Sequence, residues 1–340
     1  MKHLINDLET LLNIKSPTGH SGLAVDFVET RFKELGLATR RTNKGALIAT
    51  LEGENTSEEY TLSAHVDTLG CQVKEITADG MLKLTQIGGY AWTTIEGEHV
   101  SIETMDGTFY SGTIITIVAS SHVHGGKTNS TERNEATLRV RIDQRVSNAK
   151  DVQKLGINVG DFVHLDPRTV VTDSGFIKSR HLDDKACIVS LFGMAEYFVN
   201  NNVKPSHTTN FFISNYEEVG HGASAAIPEK TVEFIAVDMA APGSGQTSDE
   251  FSVTICAKDS SGPYDYELKK RLVKLAKDNN INYKIDIYPF YGSDGSAALR
   301  AGHDIRVGLI GPGVDASHSF ERTHIEAIEA TVNLGIAYLK

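Results

Sequence analysis

The chain has 340 residues, 40% hydrophobic and 23% charged. These are ordinary globular proportions with no tract composed for disorder, and the length fits one large α/β domain or two unequal ones. A formal net charge of −11 excludes a non-specific nucleic-acid binder, which would carry a basic face. Three cysteines, Cys71, Cys187 and Cys256, form no Cys-x-x-Cys pair, which argues against a disulfide scaffold or thiolate zinc site and for a reducing compartment.

The first residues, Met1 to Glu9, mix acidic and polar side chains where a signal peptide needs a continuous apolar run. No stretch approaches the roughly 18 apolar residues of a membrane span. The expectation is a cytoplasmic protein with no membrane or nucleic-acid partner.

In chain order, Leu4, Leu8, Leu11 and Leu12 repeat at helical spacing until Pro17-Thr18-Gly19 breaks the pattern. Ser21 is placed to cap a second helix with Leu23, Phe27, Phe32 and Leu35 on one side, closed by Gly36. Ala46–Leu51 and Tyr60–Val66 read as short apolar strands. From about Gly70 the character changes to short alternating runs such as Met81–Leu84 and Thr113–Val118, parted by Gly, Asp and Asn turns. That pattern predicts a small all-β unit. Within it, His124–Ser130 reads as a mobile loop, and a short helix near Asn148–Leu155 and a strand at Phe162–Leu165 lead back out.

After Gly175 helix and strand alternate again. Ala186–Phe198 and Tyr266–Lys277 read as helices, Thr209–Ser214, Glu233–Val237, Tyr283–Tyr288 and Ile305–Ile310 as strands, and a last helix starts at Ile325. Alternation of this kind implies a mixed sheet flanked by helices. The predicted organisation is an α/β domain made of residues 1–70 and 165–340, interrupted by a β-rich insert over residues 71–164.

Metals that favour nitrogen and oxygen need imidazole and carboxylate ligands, and functional groups of open α/β sheets gather at strand ends. Five places combine the two. Ala64-His65-Val66-Asp67 ends a strand, and Asp67, two residues on, can hydrogen-bond the far nitrogen of a metal-bound His65. His181-Leu182-Asp183-Asp184-Lys185 precedes an apolar helix. Glu217 and Glu218 follow an apolar strand, where two adjacent carboxylates are costly unless a cation neutralises one. Asp238 ends Phe234–Val237, and His318 follows the apolar run Ile305–Ile310 and a glycine-proline turn. Singly each reads as a cap or turn residue; the joint pattern is a stronger signal for metal, because all five positions fall at the ends of apolar strands or the start of an apolar helix.

These motifs resemble those of the dinuclear-metal, tetrahedron-forming aminopeptidases, a group that includes glutamyl and deblocking aminopeptidases and proteins once labelled cellulases. The resemblance spans nearly the whole chain. It is carried by Ser16-Pro17-Thr18-Gly19, Ala64-His65-Val66-Asp67, Leu155-Gly156-Ile157 with Gly160-Asp161, Leu182-Asp183-Asp184-Lys185, Glu217-Glu218-Val219-Gly220, Gly292-Ser293-Asp294 and His318-Ser319. It implies that Asp183 bridges two divalent ions, that His65 and Asp238 complete one site, and that Glu218 and His318 complete the other. It further implies Glu217 as general base, Asp67 as the residue orienting His65, and a PDZ-like or barrel insert that helps dimers assemble into a tetrahedral dodecamer. Two ions held roughly 3.5–4 Å apart would lower the pKa of a shared water, and Glu217 would take its proton and pass it to the leaving amine of a peptide substrate. The same nitrogen and oxygen ligands suit zinc first, with cobalt or manganese as alternatives. Two departures from the family pattern bear on substrate preference: Asp315-Ala316-Ser317 stands where an Arg-Tyr pair is common, and His221 where a more apolar or longer residue is common.

Two other hydrolases compete. A carboxypeptidase or deacylase of N-acylated substrates needs an arginine near the metals to hold a carboxylate, and only Arg180 and Arg322 adjoin the motifs. A glucanase needs two carboxyls on opposite sides of the bond, roughly 5–9.5 Å apart, which adjacent glutamates fit poorly. His122 and His124 read as surface residues, His181 as packing, Tyr90 and Trp92 as core or interface of the insert, Asp184 and Asp294 as groups behind the ligands, and the cysteines as buried apolar side chains.

Overall fold

The computed structural model describes residues 1–340 and divides them into two compact units, Met1–Thr68 with Arg168–Lys340, and Leu69–Pro167. In the larger unit the chain begins with α1 (Lys2–Asn13), α2 (Gly22–Glu34), β1 (Ala38–Arg41), β2 (Leu47–Leu51) and β3 (Asn55–His65). The smaller unit holds β4 (Gly70–Ile76), β5 (Leu82–Ile87), β6 (His99–Glu103), β7 (Phe109–Thr116), α3 (Ser121–His124), α4 (Lys127–Ser130), β8 (Leu138–Ile142), α5 (Ala149–Lys154) and β9 (Phe162–Leu165). The chain then returns through β10 (Val170–Val171), β11 (Phe176–Ser179), α6 (Leu182–Asn200), β12 (His207–Ser214), β13 (Thr231–Val237), β14 (Val253–Asp259), β15 (Gly262–Pro263), α7 (Tyr266–Asp278), β16 (Tyr283–Ile287), α8 (Asp294–Arg300), β17 (Arg306–Pro312), β18 (Glu321–His324) and α9 (Ile325–Leu339).

The larger unit is built on a nine-stranded mixed sheet in the order β1-β2-β12-β3-β13-β17-β14-β15, with β16 beside β14. Its centre is parallel: β3 pairs with β12 on one side and β13 on the other, and β13 pairs with β17. The central strands are buried almost throughout, as a sheet covered on both faces requires. Phe211 of β12 stacks on Phe32 of α2, which meets Phe192 of α6 edge to face. Helix α6 is apolar on every side and buried along most of its length, whereas α1 buries only the stripe Leu4, Ile5, Leu8, Leu11 and Leu12. A separate three-stranded antiparallel sheet, β10-β11-β18, lies in the same unit.

The smaller unit is a closed antiparallel barrel in the order β4-β5-β8-β7-β6-β9. Alternate residues, among them Val73, Leu84, Val100, Ile102, Ile114, Val140 and Val163, fill its interior. Tyr90 and Trp92 pack against this core half-buried. The predicted loop His124–Ser130 is instead folded into the single turns α3 and α4, tied by backbone bonds to the Ser120 and Gly126 carbonyls and by the Thr128 hydroxyl to Val118 O. Ser21 precedes α2 but makes no side-chain cap, and Leu23 points to solvent. No helix is long and apolar enough to cross a membrane.

Candidate metal centre

The three adjacent parallel strands β12, β3 and β13 end side by side, and their carboxyl ends deliver the first three groups. His65 is the last residue of β3, Asp238 follows β13, and the chain beyond β12 runs through Asn215 and Tyr216 into a single 3₁₀ turn, Glu217–Val219. Ligand sites outside the carboxyl ends of parallel strands are the rule for such sheets. Gly220, at φ 83°, stops that turn in a conformation suited to glycine. In a continuing strand the two side chains would point to opposite faces of the sheet; the turn instead brings both to the site, Glu217 toward His65 and Glu218 toward His318.

Asp183 and Asp184 lie at the start of α6 but off helical backbone, joined by a cis peptide bond. Asp183 faces both sides of the site: its Oδ1 is 3.2 Å from His65 Nε2 and its Oδ2 is 3.3 Å from His318 Nε2. His65 Nε2 also lies 3.7 Å from Glu217 Oε2, and His318 Nε2 lies 3.6 Å from Glu218 Oε2. Two compact groups result, one of His65, Glu217 and Asp238, the other of Asp183, Glu218 and His318, each with ligand atoms within 4.8 Å of one another. A third, Asp183, Asp184 and Asp238, links them on the buried side. All five residues expected as ligands therefore meet in one place, together with Glu217.

Buried charge dominates the electrostatics. Burial pushes the carboxyl of Asp238 up to about 7, with the Asp183 charge adding to it. Burial likewise raises Glu217 and Glu218 well above the usual carboxylate range. Asp183 moves the other way: burial opposes ionisation, but hydrogen bonds from His318 and His65 outweigh it and hold the carboxyl low. Burial disfavours a charged His65, yet its bonds to Asp183 and Asp67 raise it well above the ordinary imidazole value. Glu218 Oε1 and Asp184 Oδ1 are buried without a hydrogen-bond partner. Orphaned carboxylate oxygens beside two imidazoles form a donor set that fits divalent cations, because an unneutralised cluster of this kind is costly to bury.

The groups behind the ligands differ from expectation in one respect. His65 Nδ1 lies 2.8 Å from the backbone carbonyl of Asp67, while the Asp67 carboxylate is 3.6 Å away. That carboxylate instead accepts from the amides of Glu217 and Glu218 and from the Thr18 hydroxyl. Asp67 thus fixes His65 through its main chain and the glutamate turn through its side chain. Asp294 accepts from Ser63, Ser214 and Ala223 N beneath the same strand ends. Asp184 accepts from His65 N.

Glu321 was not singled out by sequence reasoning. It is buried, and its two oxygens accept from Asp183 N and His318 N at 3.1 Å each. Also unforeseen is the lining of the adjoining cavity, about 560 Å³, where Met239, Pro242, Phe290, Tyr291 and Arg300 join the ligand candidates. The two arginines that adjoin the motifs are otherwise engaged: Arg322 pairs with Glu250, and Arg180, buried, donates to Ser319 O. His221 stacks on Tyr216 at 5.0 Å, while Lys44 donates to the carbonyls of His221 and Gly222. His181 is buried, His122 is exposed, and all three cysteines are buried and outside any disulfide.

Comparison with known proteins places the chain in a family. The family model for M42 glutamyl aminopeptidase matches residues 45–334. A Bacillus subtilis (strain 168) protein named as a candidate aminopeptidase, YhfE, is 51% identical over 335 residues, covering 98% of this chain and 96% of that protein. A glutamyl aminopeptidase of Lactococcus lactis is 23% identical over 239 residues, covering 69% and 66% respectively. Among solved structures, the Pyrococcus horikoshii TET1 peptidase, described as assembling into a tetrahedron or a large octahedral shell, superposes with a TM-score of 0.85 at 22% identity over 99% of each chain. The chain belongs to the M42 glutamyl aminopeptidase family, whose members are metal-dependent, and is a peptide hydrolase.

Proposed function

We propose that this M42 peptidase removes N-terminal residues from peptides at a centre of two divalent cations, with Asp183 bridging them. His65 and Asp238 would hold one, and Glu218 and His318 the other. The observation that carries the reading is the double orientation of Asp183, one oxygen toward each histidine. When bound, the cations supply Lewis-acid polarisation of the scissile carbonyl and a lowered pKa for water at the site. Zinc is the first candidate, with cobalt or manganese as alternatives.

Glu217 is the proposed general base. It sits in the group of His65 and Asp238, its Oε2 3.7 Å from His65 Nε2, its amide held by Asp67, and burial raises its carboxyl toward the working range of a base. It takes a proton from the attacking water and returns it to the leaving amine, so no covalent intermediate is needed. Asp67 keeps Glu217 and Glu218 in register with His65. Met239, Pro242, Phe290 and Tyr291 give the cavity an apolar wall for the substrate.

Arg300 in the same lining is the one observation favouring a substrate carboxylate, and so the carboxypeptidase or deacylase reading. A panel of aminoacyl chromogenic substrates, assayed free and N-acylated, separates the two. Cleavage of the free-amine series is expected; cleavage confined to blocked substrates would assign the rival activity.

We also propose a homo-oligomer of dimers, up to a tetrahedral dodecamer, as for the TET neighbours whose structures are described as a dodecamer or tetrahedron. The barrel unit supports this with large apolar side chains in solvent, Met105 at 88% exposure with Phe109 and Val159, of the kind that mark association surfaces.

A further inference from the structure

We infer that Glu321 is a positioning residue for the metal centre: its carboxylate fixes the backbones of Asp183 and His318 together and so sets how tightly the cation between them is held. The inference rests on the two-cation reading above and goes beyond it by assigning a residue outside the ligand set.

The geometry is specific. Glu321 opens β18, three residues beyond His318 and 138 beyond Asp183. One oxygen accepts from Asp183 N and the other from His318 N. Both backbones need holding. Asp183 lies off helical geometry at the head of α6. Ala316 and His318 have φ of 56° and 62°, a left-handed conformation that costs a residue with a side chain and persists only when its surroundings over-determine it. Ser319 N closes the turn on Ala316 O, Arg180 reaches Ser319 O, and the Ser317 hydroxyl reaches Asp183 Oδ2, while Glu321 joins this loop to the Asp183 backbone through one side chain. Strand β18 supplies a rigid base by pairing with β11, Glu321 opposite Ser179. Glu321 has no ligand atom in the two groups described, so it acts on the centre through other residues. Partners that orient metal ligands in this way are typically worth about 10–100-fold in affinity or activity.

The test is a zinc titration of chelator-stripped protein against a chromophoric competitor, for wild type, Glu321→Gln and Glu250→Gln. The carboxamide introduced by Glu321→Gln is not an equivalent acceptor, since it presents one oxygen and turns an N–H toward the second amide. Glu321→Gln is expected to weaken one of the two zinc-binding steps, that of the Asp183–His318 site, about 10–100-fold while the thermal midpoint of the stripped protein stays near wild type. Glu250→Gln, which removes the ion pair to Arg322 on the same strand, should leave zinc affinity unchanged. Wild-type affinities in folded Glu321→Gln overturn the inference while leaving the two-cation reading intact. A wild type that takes up no zinc overturns that reading and the role of Glu321 with it. Should Glu321→Gln fail to fold, Glu321→Asp carries the test: it keeps the charge but withdraws it by one methylene, weaker zinc binding supports the inference, and unchanged binding overturns it.

Discussion

The two sides of the candidate centre are built by different means. On the deep side, His65 and Asp238 leave adjacent parallel strands and are buried, so the hydrogen-bonded ladder of β3 and β13 sets their spacing. On the shallow side, Glu218 sits on a 3₁₀ turn and His318 on a left-handed loop, with the His318 side chain 38% exposed. No ladder fixes those backbones. Two buried carboxylates do so instead, Asp67 holding the amides of Glu217 and Glu218, and Glu321 those of Asp183 and His318. Where a regular element cannot deliver a ligand, a side-chain carboxyl accepting two main-chain N–H groups takes over its role.

The sharpest way to break this comparison is at Glu217, which lies near His65 of the deep side but is carried on the shallow turn. Glu217→Gln should lower kcat by about 10²–10⁴-fold, the usual worth of a general base, with metal content by elemental analysis unchanged. Loss of metal would make Glu217 a ligand instead. Next comes Asp67→Asn, which weakens the hold on two amides while sparing the Asp67 carbonyl used by His65. It should lower kcat/KM about 10–100-fold, and thermal unfolding should show the fold intact; full activity would mean the turn keeps its place unaided.

A smaller effect concerns pH. Burial, with the Asp183 charge adding, lifts Asp238 to about 7 and Glu321 to about 8. Between about pH 4.5 and 7 the folded metal-free chain therefore retains protons that the unfolded chain has released at ordinary carboxylate values. Their contribution to stability is full below the unfolded values and is lost as pH rises through the folded ones. Asp183, held low, acts oppositely, but only in more acid solution. The thermal midpoint of chelator-stripped protein should fall from pH 5 to pH 7, less steeply in Asp238→Asn, and zinc should reverse the trend by binding the folded state. A midpoint that rises in stripped protein would contradict the account. Smallest of all, His221→Ala removes a ring contact with Tyr216 worth about 0.5–1.5 kcal/mol. It should alter kcat/KM by roughly tenfold at most, mainly as a changed ranking within the aminoacyl panel; a larger loss shared by all substrates would place His221 in the chemistry.

The same division governs what could be read from the sequence. Phe234–Val237 before Asp238, and Tyr60–Ala64 before His65, are apolar runs whose ends announce themselves, and the alternation of helix and strand after Gly175 gave the mixed sheet. Alternating short runs gave the β unit, which closes as a six-stranded barrel. The supporting contacts were not legible, because they link residues far apart in the chain: Glu321 to Asp183 spans 138 positions, and Ser63 to Asp294 spans 231. Local pattern carries no trace of such pairs. Spacing and the family resemblance both pointed Asp67 at His65, but two-residue alternation stops at the strand end, so its carbonyl rather than its carboxylate lies closest to His65. Helix α8, seven residues with glycine and serine among them, has too weak a helical pattern to stand out, yet it carries Arg300 to the cavity.

The central claim is that one carboxylate, Asp183, joins two cation sites. Metal content per chain after saturation with zinc and removal of excess, measured for wild type and Asp183→Asn, tests it most directly. Two zinc ions in wild type and loss of both from the tight-binding range in Asp183→Asn are predicted. A single ion in wild type, or two ions retained in Asp183→Asn, would contradict it.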